Sequence, residues 1–313
     1  MIPITKRLVE FILFLFLLSF ISFILIKLAP GDPVKRMLQV DEVSVTKEQI
    51  EALREELKFH EPVYIQYWHW LKRFFQFDLG NSYITKQPVL SELLSRFPAT
   101  LMLTCASLIV MILISIPLGI LSALYKNTWV DHLSRLFALV GSSIPSFWLG
   151  LLLIEWFSIK LGILPSMGKG TVKHIILPSL TLGIAMSAVY VRLLRSSLLE
   201  SWNEDYVKAA RARGIKERRI FLSHVFRRAL IPVVTIFGMS LGSLISGTVV
   251  VEVLFSYPGI GKMVVDAMIR RDYPVIQGYV LFITILIIII NIFVDICCRC
   301  LNPEIRLKGV EKR

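Results

Sequence analysis

Long runs of apolar residues constrain this chain more than any other feature. A helix needs roughly 20 apolar residues to cross the hydrocarbon core of a bilayer, and the 313-residue chain is 55% hydrophobic. Six runs are predicted to be membrane-spanning helices: residues 11–26, 99–124, 133–160, 175–194, 231–255 and 278–300. The sequence therefore predicts an all-α, polytopic membrane protein with six transmembrane helices.

The distribution of Lys and Arg predicts the orientation of these helices, because cytoplasmic loops carry an excess of basic residues. Segment 192–228 holds ten basic and four acidic residues, whereas segment 30–98 holds nine basic and ten acidic residues. We therefore expect both termini and the loop 195–231 in the cytoplasm, and segment 30–98 outside. The net charge of +12 needs no nucleic-acid partner, and none is predicted. The expected location is the plasma or inner membrane.

Four regions follow from this topology. Residues 1–29 are the N-terminal transmembrane helix, and 30–98 are a small, helical, extracytoplasmic cap. Residues 99–300 form a five-helix core that includes the cytoplasmic loop 195–231, and 301–313 are a cytoplasmic tail. Aromatic residues are frequent between 64 and 77, and such residues favour the membrane–water boundary. The cap is expected to rest on membrane lipid, and its role stays open.

The loop 195–231 contains a predicted docking helix. Ser201 and Glu204 have the spacing of a capping box, which marks a helix start. Gly214 suits the left-handed position that ends a helix. Between them, Ala209 and Ala210 carry so little side chain that the backbone of another protein could approach closely.

The same residues carry a family resemblance. The pattern Lys208-Ala209-Ala210-x-x-x-Gly214 resembles the Glu-Ala-Ala-x-x-x-Gly loop of the permease subunits of ATP-binding-cassette (ABC) importers, with Lys208 in place of the Glu. Further motifs are similar to the dipeptide/oligopeptide/nickel branch of that family: DYV at 205–207, SIPSFWLG at 143–150 and RDYPVIQG at 271–278.

This resemblance implies a transport subunit rather than an enzyme. The implied partners are a second related permease, two cytoplasmic ATPase subunits and an extracytoplasmic substrate-binding protein. ATP and Mg would be bound by the ATPases, and no cofactor is expected in this chain, which has no Walker loop. The residues expected to couple the permease to the ATPase are Tyr206, Val207, Lys208, Ala209, Ala210, Arg211, Arg213 and Gly214.

Charged residues inside spans are the default candidates for a substrate path, because each is costly at mid-bilayer. Glu252 is the leading candidate, with Gly242 and Ser246 as possible lining residues. Two alternatives stay open: Glu252 could pair with a partner subunit, and the small residues could serve packing within one chain. Glu155 has no evident partner, and Asp295 is expected to bond neighbouring helices or Arg299.

The substrate is less constrained than the class of protein. Residues 164–178 resemble the nickel-type members, which favours a metal chelate over a dipeptide or oligopeptide. No metal site is predicted in the chain itself, and the role of Cys297, Cys298 and Cys300 stays open. The alternative function is a self-sufficient secondary transporter or channel, which predicts matched halves and an intramembrane polar relay. The sequence has three isolated intramembrane acids instead.

Overall fold

The computed structural model describes residues 13–24, 46–56 and 60–301. These residues form helices, and the only strand-like pairing among them is one antiparallel bridge between Asn81 and Pro88. The all-α prediction is confirmed for this part of the chain. Lys6 and Arg7, residues 25–45 and the tail from 302 onward lie outside the described residues, so the orientation predicted from them stays a prediction.

The described helices are numbered in chain order. They are α1 (Leu13–Ile24), α2 (Lys47–Glu56), α3 (Val63–Phe75), α4 (Val89–Leu124), α5 (Trp129–Ser143), α6 (Ser146–Leu153), α7 (Lys173–Trp202), α8 (Asp205–Ala212), α9 (Glu217–Ile220), α10 (Phe226–Leu254), α11 (Ile260–Arg270) and α12 (Tyr273–Leu301). Wider π-helical turns continue α6 at Ile154–Lys160 and join α9 to α10 at Phe221–Val225.

Four described helical segments are long and apolar enough to cross a membrane: Val89–Leu124, Lys173–Trp202, Glu217–Gly238 and Tyr273–Val294. The helix pair Trp129–Ser143 and Ser146–Lys160 makes a fifth if a bent pair counts as one span. Only Leu13–Ile24 of the first predicted span is described. The exact count of six, and the extracytoplasmic placement of segment 30–98, therefore stay predictions, as do the region boundaries.

The third predicted span is sharply bent. Its two halves differ in direction by 105°, and the break falls at Ile144, whose backbone is extended (φ −83°, ψ 126°). The ring of Pro145 disfavours a helical conformation for the residue before it. Pro145 therefore accounts for the break, whereas α4 continues without interruption through Pro117.

The described chain divides into two compact units. One unit consists of residues up to Pro98 together with Lys262–Ile289. Within it, α1 packs against α3: the hydroxyl oxygens of Ser19 and Tyr67 are 2.8 Å apart, and the ring of Phe20 meets that of Tyr67 edge-on.

The other unit, Ala99–Gly261 with the residues from Ile290 onward, contains the candidate sites. Helix α7 is its central element, because 61% of its most apolar 18-residue stretch is buried, against 28% or less in the other three unbroken candidate spans. One buried cluster surrounds Leu177 near the beginning of α7, and a second includes Leu194 and Leu198 near its end. The first cluster includes Val251, the neighbour of the candidate path residue Glu252, and the second includes Val207 and Ala210 of the predicted docking helix.

Candidate functional site

The predicted docking helix is present as α8, Asp205–Ala212. Its predicted start is wrong, because Ser201 belongs to the preceding helix α7 and cannot cap α8. Glu204 occupies the capping position with an extended backbone and makes no side-chain capping bond. A break of two residues therefore separates α7 from α8, and the capping-box spacing falls across that break.

The predicted end of α8 is confirmed at Gly214. This residue has φ +74°, the left-handed conformation that glycine adopts without strain. The amide of Gly214 donates to the carbonyl of Arg211 at 2.9 Å, and the amide of Ile215 donates to that of Ala210 at 3.2 Å. These two bonds are the Schellman motif, which satisfies carbonyls that the helix end leaves free.

The inner face of α8 is packed within the chain. Val207 is fully buried and Ala210 is 8% exposed, and both belong to the cluster around Leu194 and Leu198 of α7. The Tyr206 hydroxyl donates to a carbonyl of α7, the Ser201 oxygen, at 3.0 Å. Helix α8 is thus fixed to the end of α7 by apolar packing and by a hydrogen bond.

The outer face of α8 is exposed to solvent, as is the turn after it. The exposed residues are Lys208, Ala209, Arg211, Ala212, Arg213 and Gly214. Lys208 bonds Asp205 at 2.8 Å, which lowers the pKa of Asp205 and raises that of Lys208. Exposed pairs of this kind contribute little to stability, so both charges remain free to pair with another protein.

The eight residues predicted to couple to an ATPase therefore fall into two groups. Val207 and Ala210 belong to the core of this chain, with Tyr206 half-buried beside them, and they hold the helix in place. Lys208, Ala209, Arg211, Arg213 and Gly214 form the surface that a partner can reach. The coupling role itself stays a prediction.

The second candidate site surrounds Glu252, near the end of α10. Its side chain is fully buried. The Thr100 hydroxyl of α4 donates to Glu252 Oε1 at 2.6 Å, and that hydroxyl accepts the backbone N–H of Ile260 at 3.0 Å. The carboxyl group therefore joins α4, α10 and the beginning of α11 within this unit.

Gly259 in the loop after α10 and Gly261 at the beginning of α11 allow the backbone to pass close to this carboxyl group. A Cβ atom added to Gly259 would lie 2.3 Å from Glu252 Oε1, and one added to Gly261 would lie 2.9 Å from Oε2. Burial and the nearby Glu252 raise the pKa of Tyr257 in the same loop. Glu252 thus has a structural function inside the chain, and its predicted place in a substrate path stays a prediction.

The small residues of α10, which include Gly238 as well as Gly242 and Ser246, are partly explained by packing. A Cβ on Gly238 would lie 2.0 Å from Val294 Cγ1 of α12, so the glycine permits a close helix contact within one subunit. Gly242 is buried, and Ser246 lies in the same helix. The packing alternative is supported at Gly238, and a path-lining role for Gly242 and Ser246 stays a prediction.

Several polar contacts escaped the sequence analysis. Glu155 pairs with Lys160 at 3.4 Å. The two are five residues apart, the hydrogen-bond spacing of the π-helical turn that carries them, and a search at α-helical spacing misses such a pair. Asp272 accepts the Ser82 hydroxyl at 2.5 Å and the Tyr83 amide at 3.0 Å. The burial of Tyr83, and then the charge of Asp272, raise the pKa of Tyr83.

A further buried contact joins Asp131 of α5 to Arg195 of α7. The guanidinium group donates to both carboxylate oxygens, at 2.7 and 2.8 Å. Asp131 lies just before the third predicted span and Arg195 just after the fourth, so a search for charges within spans passes over both. In the part of the chain that the structure describes, no group of three His, Cys, Asp or Glu residues could hold a metal ion.

The fold resembles that of chains in two solved structures of ABC transporters. It resembles an inward-facing MetNI methionine ABC transporter with a TM-score of 0.55 and 21% sequence identity, over 67% of this chain and 96% of that one. It also resembles an amino acid ABC transporter crystallised with histidines, with a TM-score of 0.52 and 13% identity, over 67% and 92% of the two chains. At these identities the likeness shows the fold alone.

The chain belongs to the family of binding-protein-dependent transport system inner membrane components, which it matches over residues 115–307. Residues 1–104 match the N-terminal region described for membrane components of the same systems. The chain is 42% identical to the glutathione transport system permease protein GsiC of Escherichia coli K12, over 97% of this chain and 98% of that one. The GsiC protein of Shigella dysenteriae serotype 1 matches equally well.

These relatives place the chain among the ABC importer permeases of the peptide/nickel family. It is therefore a multi-pass inner-membrane transport subunit, as its resemblance implied. Family membership favours this class over the self-sufficient secondary transporter or channel. The names of the GsiC relatives refer to glutathione transport, and they give no support to nickel or a metal chelate as the substrate.

Proposed function

We propose that this chain carries the conformational signal of cytoplasmic ATPases to a translocation path that it forms with a second, related permease. The observation behind this proposal is the construction of α8. Its inner face is fixed to α7, whereas its outer face offers two exposed alanines among exposed basic side chains. A helix held rigidly on one side and open on the other can pass a displacement from a partner into the membrane helices.

The chemistry of the outer face indicates how an ATPase would bind. Ala209 and Ala212 allow the partner's backbone to approach closely, and Lys208 and Arg213 lie beside them. We expect a helix-in-groove contact in which acidic residues of the ATPase meet these cations. ATP and Mg would be bound entirely by the ATPase subunits, and an extracytoplasmic binding protein would deliver the substrate.

For the substrate we propose a small peptide of the glutathione type. The support is the 42% identity to permeases named for glutathione transport, which extends over 97% of this chain. The nickel or metal-chelate substrate favoured by residues 164–178 becomes the competing hypothesis. The choice between them belongs to an uptake assay, because most of the specificity is expected in the binding protein.

The coupling role can be tested with two neighbouring alanines that differ in burial. Ala209→Glu should remove most of the co-purifying ATPase from the detergent-solubilised complex. It should leave the melting temperature of the permease chain itself unchanged. Glu in place of buried Ala210 should lower the melting temperature, because an unpaired buried charge costs about 3–5 kcal/mol. Pull-down of the tagged chain and thermal unfolding measure the two effects separately.

Ala209→Ser is the matched control, since it adds one polar atom and should leave ATPase recovery unchanged. Full ATPase recovery and full transport with Ala209→Glu would show that the outer face of α8 is not the docking surface. If wild type purified alone and transported substrate without an ATPase, the importer mechanism would be wrong for this chain.

A further inference from the structure

A buried ion pair lies close to the end of α7 that supports α8. Asp131, in the first turn of α5, is completely buried, and the Arg195 side chain is 20% exposed. The Arg195 Nε and a terminal guanidinium nitrogen donate to separate carboxylate oxygens, at 2.7 and 2.8 Å. This bidentate geometry fixes the relative orientation of the two groups as well as their distance.

Two further donors complete the environment of the carboxylate. The Ser122 hydroxyl, near the end of α4, donates to Asp131 Oδ1 at 2.7 Å. The backbone N–H of Asn127, in the turn between α4 and α5, donates to Oδ2 at 3.0 Å. Arg135 forms a looser ion pair with the same carboxylate, because its Nε lies 3.7 Å from Oδ1, beyond hydrogen-bonding distance.

One carboxylate thus joins the end of α4, the turn that follows, the beginning of α5 and the last third of α7. A buried charge is costly to separate from its partners. A displacement of α7 at Arg195 therefore moves the α4–α5 turn with it, since sliding past Asp131 would break the bidentate bonds.

Arg195 is also next to the contacts that hold α8. It directly follows Leu194, which together with Leu198 belongs to the same buried cluster as Val207 and Ala210 of α8. The outer face of α8, its inner face, the end of α7 and the α4–α5 turn are consequently linked by successive contacts between described residues.

We propose that the Asp131–Arg195 pair is the positioning contact that transmits the displacement of α8 from α7 to the α4–α5 turn. This inference rests on the proposed function, in which α8 receives the ATPase. The pair touches neither substrate nor nucleotide. Its loss should uncouple ATP hydrolysis from transport while leaving the complex assembled.

The test uses the complete complex in proteoliposomes, with ³⁵S-labelled glutathione as the transport probe. Arg195→Lys keeps the positive charge but loses the two-pronged geometry, and Asp131→Asn removes the negative charge while keeping the size of the side chain. We expect the ratio of glutathione transported to ATP hydrolysed to fall about tenfold, within the range of typical coupling effects. ATPase co-purification should stay at the wild-type level.

Arg192→Lys is the matched control, because Arg192 is exposed on the same helix, three residues earlier. It should transport as wild type does. The double variant Asp131→Asn with Arg195→Lys should lose no more coupling than either single variant, because residues that act through one contact are not additive.

The possible outcomes separate the two proposals. A wild-type transport ratio in Arg195→Lys, with the ATPase still bound, would overturn this inference and leave the proposed function intact. Additive losses in the double variant would also overturn it. Absence of the ATPase from the wild-type complex would overturn the proposed function, and this inference with it. If Asp131→Asn fails to assemble, the transport ratio of Arg195→Lys decides the question.

Discussion

Individual side chains at the Glu252 site are held by a few short contacts. The Thr100 hydroxyl donates to Glu252 and accepts from the Ile260 amide. Thr100→Val keeps the shape of the side chain but removes the hydroxyl, so Glu252 loses one hydrogen bond and the buried Ile260 N–H loses the acceptor that the hydroxyl provides. Leaving one such group unsatisfied costs about 1–3 kcal/mol.

We therefore expect Thr100→Val to lower the melting temperature of the detergent-solubilised protein by several degrees, whereas Thr100→Ser should stay close to wild type. Tryptophan fluorescence during heating measures the difference. An equal fall in both variants would indicate that the threonine methyl group, and not its hydroxyl, stabilises the site.

The sequence marks Glu252 as a candidate for function, but it does not show which residues bond its side chain. A carboxyl group in an apolar run stands out, because each such group must be compensated. One hydrogen bond to it comes from Thr100, 152 residues away, and Gly259 and Gly261 let the backbone after α10 approach it closely. A threonine in an apolar helix carries no local signal of such a role.

At the scale of elements, glycines determine how closely α7 can approach its neighbours. A Cβ on Gly183 of α7 would lie 2.5 Å from Val110 Cγ1 of α4 and 2.9 Å from the Ser107 carbonyl oxygen. The backbone oxygen cannot move away as a flexible side chain can, so the two helices would have to separate. Overpacking of this kind typically costs about 1–3 kcal/mol.

Gly183→Ala is therefore expected to lower the melting temperature. Gly247→Ala in α10 is the control, because a Cβ there would meet nothing within 4 Å and alanine favours a helix more than glycine does. Thermal unfolding of the two purified variants compares them directly. A neutral Gly183→Ala would mean that the α4–α7 contact adjusts more freely than its geometry indicates.

The helices themselves were the most predictable part of the fold, because their signals are local. Apolar length located most spans, and Gly214 marked the end of α8. The sequence could not show which face of α8 was already occupied. The sequence predicted Val207 and Ala210 to be docking residues. They are buried because α7 and the residues before α10 contribute to the apolar cluster that surrounds them.

At the scale of the whole molecule, the main question is what crosses the membrane. The chain has almost the same extent as the glutathione permeases it resembles, 97% of its own length and 98% of theirs. The matched region therefore includes the lining of the path as well as the coupling helix, whichever residues form that lining. Similar linings are expected to admit substrates of similar size and charge.

We accordingly expect cells that lack other glutathione and peptide importers, and express this chain with its partner subunits, to accumulate ³⁵S-labelled glutathione. Unlabelled glutathione should compete, whereas a nickel–histidine chelate should not, because it shares neither the shape nor the charge of the peptide. The Ala209→Glu variant should abolish uptake, which would show that the accumulation of labelled glutathione depends on the ATPase. Uptake of ⁶³Ni as the chelate, with no accumulation of glutathione, would restore the metal-chelate hypothesis that residues 164–178 favoured.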